Sequence, residues 1–317
     1  MISFRYHIVS IVSVFLALAV GVALGGGPLK GEVDNTLVDQ VQADREVKAQ
    51  LQQEITSLKE ANAFADDFAA AVAPGLIGDT LKGRSVTLVA LPTASQSEVT
   101  QLSDMVSAAG GSVAGTVRFG EKLLDVDQKQ LVDELGSQLL AGASGVSVPP
   151  DASGYERAGA LIARAIGTQD APDGAEVDGA AESILAGLST AELISVEGDL
   201  TKRGSLVLFV AGPGEGTLDQ RQGSNSIATT LISAVDANTD GTVVAGPLQS
   251  ARPGGLVRAV RDDVAAAEEV STVDVLGREA GRIVAVMALV GQSNGQTGHY
   301  GAVDAADGAL PGATGGE

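Results

Sequence analysis

The chain has 317 residues, a net charge of −20, 44% hydrophobic residues and no cysteine or tryptophan. Nucleic-acid binding depends on neutralising phosphates with Lys and Arg, so this charge excludes that class in practice. It also argues against peripheral docking on anionic lipid. Without cysteine there is no disulfide, thiolate metal ligand or thiol nucleophile, and the scarcity of aromatic residues disfavours carbohydrate platforms.

The chain opens with one long apolar run. Residues 8–29 carry no charged side chain, and a helix of this length spans about 33 Å, enough to cross a hydrocarbon core of about 30 Å. Arg5 and the terminal amine favour a cytoplasmic position for residues 1–7, which leaves the remainder extracytoplasmic. We therefore expect an uncleaved, single-pass transmembrane helix in the cell membrane. A cleaved signal peptide is the alternative.

Small residues recur along this apolar run. Ala17, Gly21 and Gly25 are spaced four apart, a pattern that lets two membrane helices approach closely. They predict a membrane-helix packing face. The alternative is that small residues are simply common in membrane helices.

Residues 31–73 predict a long helix, because Gln, Glu, Lys, Ala and Leu dominate and Pro74-Gly75 would end it. Apolar residues alternate at spacings of four and three, which indicates a coiled coil. The predicted partner-binding seam consists of Leu37, Val41, Leu51, Ile55, Leu58, Asn62 and Ala65. Asp44 and Lys48 interrupt it. We expect either self-association or a heteromeric coiled coil; a helix packing on the following domain is the alternative.

Residues 80–297 predict an α/β domain. Ser85–Leu91 is a compact apolar run typical of a strand buried on both faces. Helices over 96–109 and 127–140 alternate with a strand at 112–119, which indicates a mostly parallel, doubly wound (Rossmann-like) sheet. Further strands are predicted at 205–211, 242–245 and 270–275, and further helices at 155–167, 178–188, 223–236, 255–263 and 277–292. The strand order stays open. Residues 298–317 are expected to form a flexible tail.

Two loops resemble ligand sites. Gly212-Pro-Gly-Glu-Gly216 lies between a strand and a helix, but it lacks the Lys of a phosphate-binding loop and is interpreted as an ordinary connection. Asp236, Asn238 and Asp240 match the first half of a calcium loop, but Pro247 stands where the bidentate Glu belongs, so a turn is expected. The two histidines, His7 and His299, lie far apart in sequence. No catalytic residue, metal ligand or cofactor is predicted.

Several segments, spread along nearly the whole chain, carry a resemblance to a known family. They are Met1–His7, Leu24–Pro28, the juxtamembrane helix, Leu208–Pro213, Val244–Gly246, Val270–Asp274 and Gly298–Gly301. Together they resemble an actinobacterial family, the MctB-like family, which has a copper-transport branch and a cell-separation (SteB) branch.

The resemblance implies one of two functions. The first branch implies copper transport at an outer membrane. The second implies a coiled-coil protein at the septum that joins a cytosolic partner to control of peptidoglycan cleavage. Copper handling favours Cys, Met or clustered His, and an outer-membrane barrel needs many alternating strands, whereas this chain has neither pattern.

We therefore expect a non-catalytic envelope scaffold and keep a copper-efflux component as the alternative. The scaffold would meet a cytosolic partner through residues 1–7 and the membrane helix. It would meet an envelope partner such as a peptidoglycan hydrolase through residues 32–70. A hydrolase or transferase is a third hypothesis, and the missing nucleophile–base arrangement weakens it.

Overall fold

The computed structural model describes residues 4–26 and 29–312, without the side chains of residues 26–37. The predictions for residues 1–3, 27–28 and 313–317 lie outside the described part. The chain divides into two units, one ending at Ala65 and one beginning at Asp66.

The first unit is helical. Helix α1 (Phe4–Gly26) has 23 residues, or about 34 Å at 1.5 Å per residue. It is long and apolar enough to cross a membrane, and its described side chains are exposed. The helix that contains the predicted span of residues 8–29 thus begins at Phe4 and ends at Gly26. Helix α2 begins at Leu29.

The second unit alternates strands and helices. Its strands are β1 (Ser85–Ala90), β2 (Ser112–Phe119), β3 (Ala175–Glu176), β4 (Ile194–Glu197), β5 (Lys202–Arg203), β6 (Leu206–Val210), β7 (Gly241–Ala245), β8 (Ser271–Val273) and β9 (His299–Tyr300). Its helices, after the end of α2 at Ile77, are α3 (Gln96–Ala108), α4 (Glu121–Leu124), α5 (Lys129–Gly142), α6 (Gly154–Ile166), α7 (Gly179–Thr190), α8 (Leu218–Asp236), α9 (Leu256–Asp262), α10 (Val264–Glu269) and α11 (Glu279–Gln292).

One seven-stranded sheet organises this unit, in the order β4-β2-β1-β6-β7-β8-β9. All neighbours pair in parallel except β4, which is antiparallel to β2. Strands β3 and β5 form a separate two-stranded ladder. The α/β prediction is confirmed, and the strand order that the sequence left open is now known.

The sheet is covered on both faces, which explains why its central strands are continuously apolar. Along β6, Val207 and Phe209 join one core with Phe119, whereas Leu206 and Leu208 join the other. Successive side chains of a strand point to opposite faces, so one apolar run serves two cores. Helices α4 to α10 cover the first face, and α3, α11 and the end of α2 cover the second.

Helix α2 ends later than the sequence predicted. It continues through Pro74 to Ile77, although proline removes a hydrogen bond in a helix interior. Ile77 is 1% exposed and Ala73 is 7% exposed, both within the second core. Burial of this last turn offsets the lost hydrogen bond, and Gly78 N–H donates to the Pro74 carbonyl just beyond it.

The expectation of a flexible tail from residue 298 is wrong for residues 299–304, which are bonded to the rest of the second unit. His299–Tyr300 form β9 and pair with Thr272 and Val273 of β8. Tyr300 is buried in the second core. A two-residue strand leaves no periodic pattern in the sequence, which is why the sequence indicated only a polar, glycine-rich end.

Candidate functional site

The predicted seam of α2 is solvent-exposed within its unit. Leu51, Ile55 and Leu58 are 52%, 51% and 56% exposed. The other predicted seam residues are Val41, Asn62 and Ala65, which are exposed, and Leu37, whose side chain lies outside the described part. Several large apolar side chains in one exposed row indicate an interaction surface.

The heptad frame of α2 favours a particular partner geometry. With Leu51 and Leu58 at d positions, Ile55 falls at an a position. Isoleucine at a positions with leucine at d positions favours a parallel coiled coil of two helices. Glu54 then occupies a g position and Lys59 the following e position, and these positions face each other between parallel, in-register helices. The helix therefore carries charges that complement a second copy of itself. The coiled coil itself stays a prediction.

The small residues of α1 are also exposed. Ala17, Gly21 and Gly25 lie on this helix, and no other part of the described chain comes within 4 Å of a Cβ built at either glycine. The backbone is thus accessible to a second helix at these positions. Whether they pack against one stays a prediction.

The C-terminal residues form a buried polar cluster with β8. Arg261 Nη1 donates to Asp274 Oδ2 at 3.0 Å, and Nη2 donates to the Tyr300 carbonyl at 3.0 Å. His299 Nδ1 lies 3.0 Å from Thr272 Oγ1. Burial, and then the positive charge of Arg261, lowers the pKa of His299 below its ordinary value. This cluster fastens the end of the chain to the sheet and has the character of a structural site.

A cleft of about 340 Å³ opens at the carboxyl ends of β1 and β6. The chain leaves β1 for β2 on one side and later returns to β6 on the other, so this is the topological switch point, where open α/β sheets bind ligands. Thr93, Gly212, Gly214 and Arg221 are among the lining residues. The sequence indicated only a connecting loop here, and nothing local in it distinguishes Arg221.

Comparisons with known proteins decide the family. A family model described as "Copper transport outer membrane protein, MctB" matches residues 1–311. The chain belongs to the MctB family. It is 31% identical to "Copper transporter MctB" of Mycobacterium tuberculosis (strain ATCC 25618 / H37Rv) over 310 residues, covering 95% of this chain and 96% of that protein. It is also 31% identical to "Copper transporter MctB" of Mycobacterium leprae (strain TN) over 312 residues, with the same coverage of both chains.

Membership of the MctB family directs attention to copper ligands. Among the described residues, no group of three or more His, Cys, Asp or Glu side chains could hold a metal ion. Met105 is 9% exposed in the core under α3, and Met287 packs partly buried against the same core. The thioethers of Met105 and Met287 therefore serve packing.

Residues 236–240, which resemble the first half of a calcium loop, form the turn between α8 and β7. Asp240 pairs with Arg84 at 2.8 Å, and Asn238 Nδ2 donates to the Ala234 carbonyl. Asp236 lies at the end of α8, where burial raises its pKa to about 6. The Asp236 carboxylate accepts hydrogen bonds from Thr242. All three polar side chains thus have intramolecular partners that compete with a cation.

Proposed function

We propose that this protein takes part in copper transport at the cell envelope as a single-pass, membrane-anchored component. The observation that carries the proposal is the match to MctB copper transporters over 95% of the chain. Helix α1 supplies the anchor, and the α/β unit works on the extracytoplasmic side.

In that proposal, this chain binds other proteins of the transport assembly and does not itself coordinate copper. The whole chain has two histidines, three methionines and no cysteine, and copper sites draw on those residue types. The ligands that carry copper would therefore come from a partner. The α/β unit has no catalytic chemistry in this proposal and acts as a binding module.

Helix α2 provides the assembly surface. We propose that it pairs with α2 of a second copy, in parallel and in register, because both copies enter the same membrane at their N-termini. Leu51, Ile55 and Leu58 would form the buried seam, and Glu54 would face Lys59 of the second copy. Asn62 at an a position would restrict the register and oligomeric state.

A cell-separation scaffold is the second candidate function. The exposed seam of α2 favours it, because a scaffold needs a binding surface and no ligand set for a metal. A cytosolic partner would meet residues 1–7 and α1, and a peptidoglycan hydrolase would meet residues 32–70, at the septum.

A deletion strain distinguishes the two functions. Growth is measured across a copper series, and cell chain length is measured by microscopy at ordinary copper. Copper hypersensitivity with normal separation is the expected result for the copper function. Unseparated, chained cells without copper hypersensitivity would overturn it in favour of the scaffold. Complementation with the full chain controls for effects on neighbouring genes.

A further inference from the structure

The cleft at the switch point is built by close backbone approaches. A Cβ at Gly212 would lie 1.9 Å from the Thr93 carbonyl oxygen, so only glycine lets the loops after β6 and β1 meet there. The cleft floor is therefore fixed by the fold, as expected for a ligand site that is largely formed in advance.

Two glycines pack closely against the Arg221 side chain in this cleft. A Cβ at Gly214 would lie 2.7 Å from Arg221 Cδ, and one at Gly254 would lie 3.2 Å from Arg221 Cζ. The side chain thus occupies a slot between two glycines. Its Nε is buried and has no hydrogen-bond partner.

In the part of the chain that the structure describes, Arg221 has no anionic partner, although the net charge of the whole chain is −20. Among the described arginines of the second unit, Arg203 and Arg252 form no ion pair either, but Arg203 donates to backbone carbonyls and Arg252 is exposed. Eight other arginines of the second unit form ion pairs; they are Arg84, Arg118, Arg157, Arg164, Arg258, Arg261, Arg278 and Arg282. Within the described residues, Arg221 forms none. A partly buried guanidinium without an anion is costly, which indicates that an anion from outside the chain completes the site.

Further features of the cleft define the ligand. Arg221 lies in the first turn of α8, whose N-terminus favours negative charge. Glu121 and Glu215 also line the cleft and would repel a polyanion. Their carboxylates can accept hydrogen bonds from hydroxyl or amino groups. The volume of about 340 Å³ lies near the lower end of the range for ligand pockets.

We propose that this cleft binds a small organic anion that carries one phosphate or carboxylate group together with hydroxyl or amino groups. The anionic group pairs with Arg221, whose planar fork suits both kinds of anion. The donors of the ligand face Glu121 and Glu215. This site is independent of the copper function and of the α2 seam.

Isothermal titration calorimetry on the full chain in nanodiscs tests the site. The probes are glycerol 3-phosphate and lactate, with glycerol as the uncharged control. We expect saturable binding of at least one charged probe and none of glycerol. Arg221→Gln should weaken that binding by about tenfold or more, since it removes a charge-assisted hydrogen bond. Lack of saturable binding by both charged probes would overturn the proposal.

Two further variants separate a built site from general attraction of anions. Arg252→Gln removes the same charge from an exposed position outside the cleft lining and should bind like the parent. Gly214→Ala retains every charge but places a methyl group against Arg221 Cδ, and it should weaken binding. Equal affinities of the parent and Arg221→Gln, or equal losses in Arg221→Gln and Arg252→Gln, would contradict the site. Unchanged circular dichroism shows that each variant folds.

Discussion

Arg261 and Asp274 form an ion pair inside the α/β unit, with 3.0 Å between Nη1 and Oδ2 and side-chain exposures of 7% and 0%. Asp274 also accepts hydrogen bonds from the backbone N–H groups of Ala302 and Val303. Arg261 donates to the carbonyls of Tyr300 and Val303. One buried pair thus joins α9, β8 and the C-terminal residues.

Asp274→Asn should strongly destabilise the second unit. The substitution leaves the Arg261 guanidinium buried without its counter-charge, a change that costs about 3–5 kcal/mol in other proteins. The free energy of unfolding, measured from urea denaturation by circular dichroism, should fall by an amount of this order. Asp304→Asn is the control, because Asp304 pairs with Arg258 at the surface. Equal urea midpoints for Asp274→Asn and the parent would contradict the role of the pair.

The parts of this fold that were predictable are those with a local pattern. Strands β1 and β6 are continuous apolar runs because both of their faces are buried, and the alternation with amphipathic helices indicated parallel crossovers. Strand β9 has no such pattern because it has only two residues. The buried carboxylate of Asp274, which accepts hydrogen bonds from the residues just after β9, is distant in sequence.

The cleft around Arg221 likewise could not be predicted from the sequence. Arg221 lies on the first turn of a helix among polar residues, where a charged side chain usually faces solvent. Its lack of an ion pair becomes visible only when the positions of every acidic side chain around it are known. Gly214 and Gly254 are separated along the chain, so the slot that they form leaves no sequence motif.

Asp236→Asn should stabilise the protein at neutral pH. Burial raises the pKa of Asp236 from 3.8 to about 6, against the opposing effect of hydrogen bonds with Thr242. The folded state therefore binds this proton more tightly than the unfolded chain does, and the free energy of unfolding decreases as pH rises from about 4 to about 6. Above that range the Asp236 carboxyl is charged in both states, and the destabilisation by its burial has reached its full size. We expect a gain of about 1–2 kcal/mol at neutral pH, because partial exposure reduces the effect.

Urea denaturation at about pH 4 and about pH 7 measures this effect. The gain should be present only at the higher pH. Asp219→Asn, at an exposed position on the same helix, should leave the pH profile of the parent unchanged. A stabilising effect of Asp236→Asn that is equal at both pH values would contradict the assigned cause.

Lysine at the seam of α2 should abolish self-association. The triple variant Leu51→Lys, Ile55→Lys and Leu58→Lys replaces three exposed apolar side chains with charges that a buried seam cannot hold. Light scattering of the full chain in detergent should then report the monomer mass. The matched control places three lysines on the outer face, at Gln50, Gln53 and Ser57, and should keep the mass of the parent. An unchanged mass for the seam variant would refute the assembly role of α2.

Single cysteines should report the parallel, in-register geometry of α2, since the chain has no cysteine of its own. At a d position the two copies of residue 58 face each other, and a disulfide needs Cβ atoms about 3.5–4.5 Å apart. Leu58→Cys should therefore give a covalent dimer under mild oxidation in membranes, seen on a non-reducing gel. Glu60→Cys is the control, because position f points away from the partner helix. Efficient cross-linking at residue 60, or none at residue 58, would be incompatible with an in-register parallel pair; a heteromeric coiled coil would likewise leave residue 58 uncoupled.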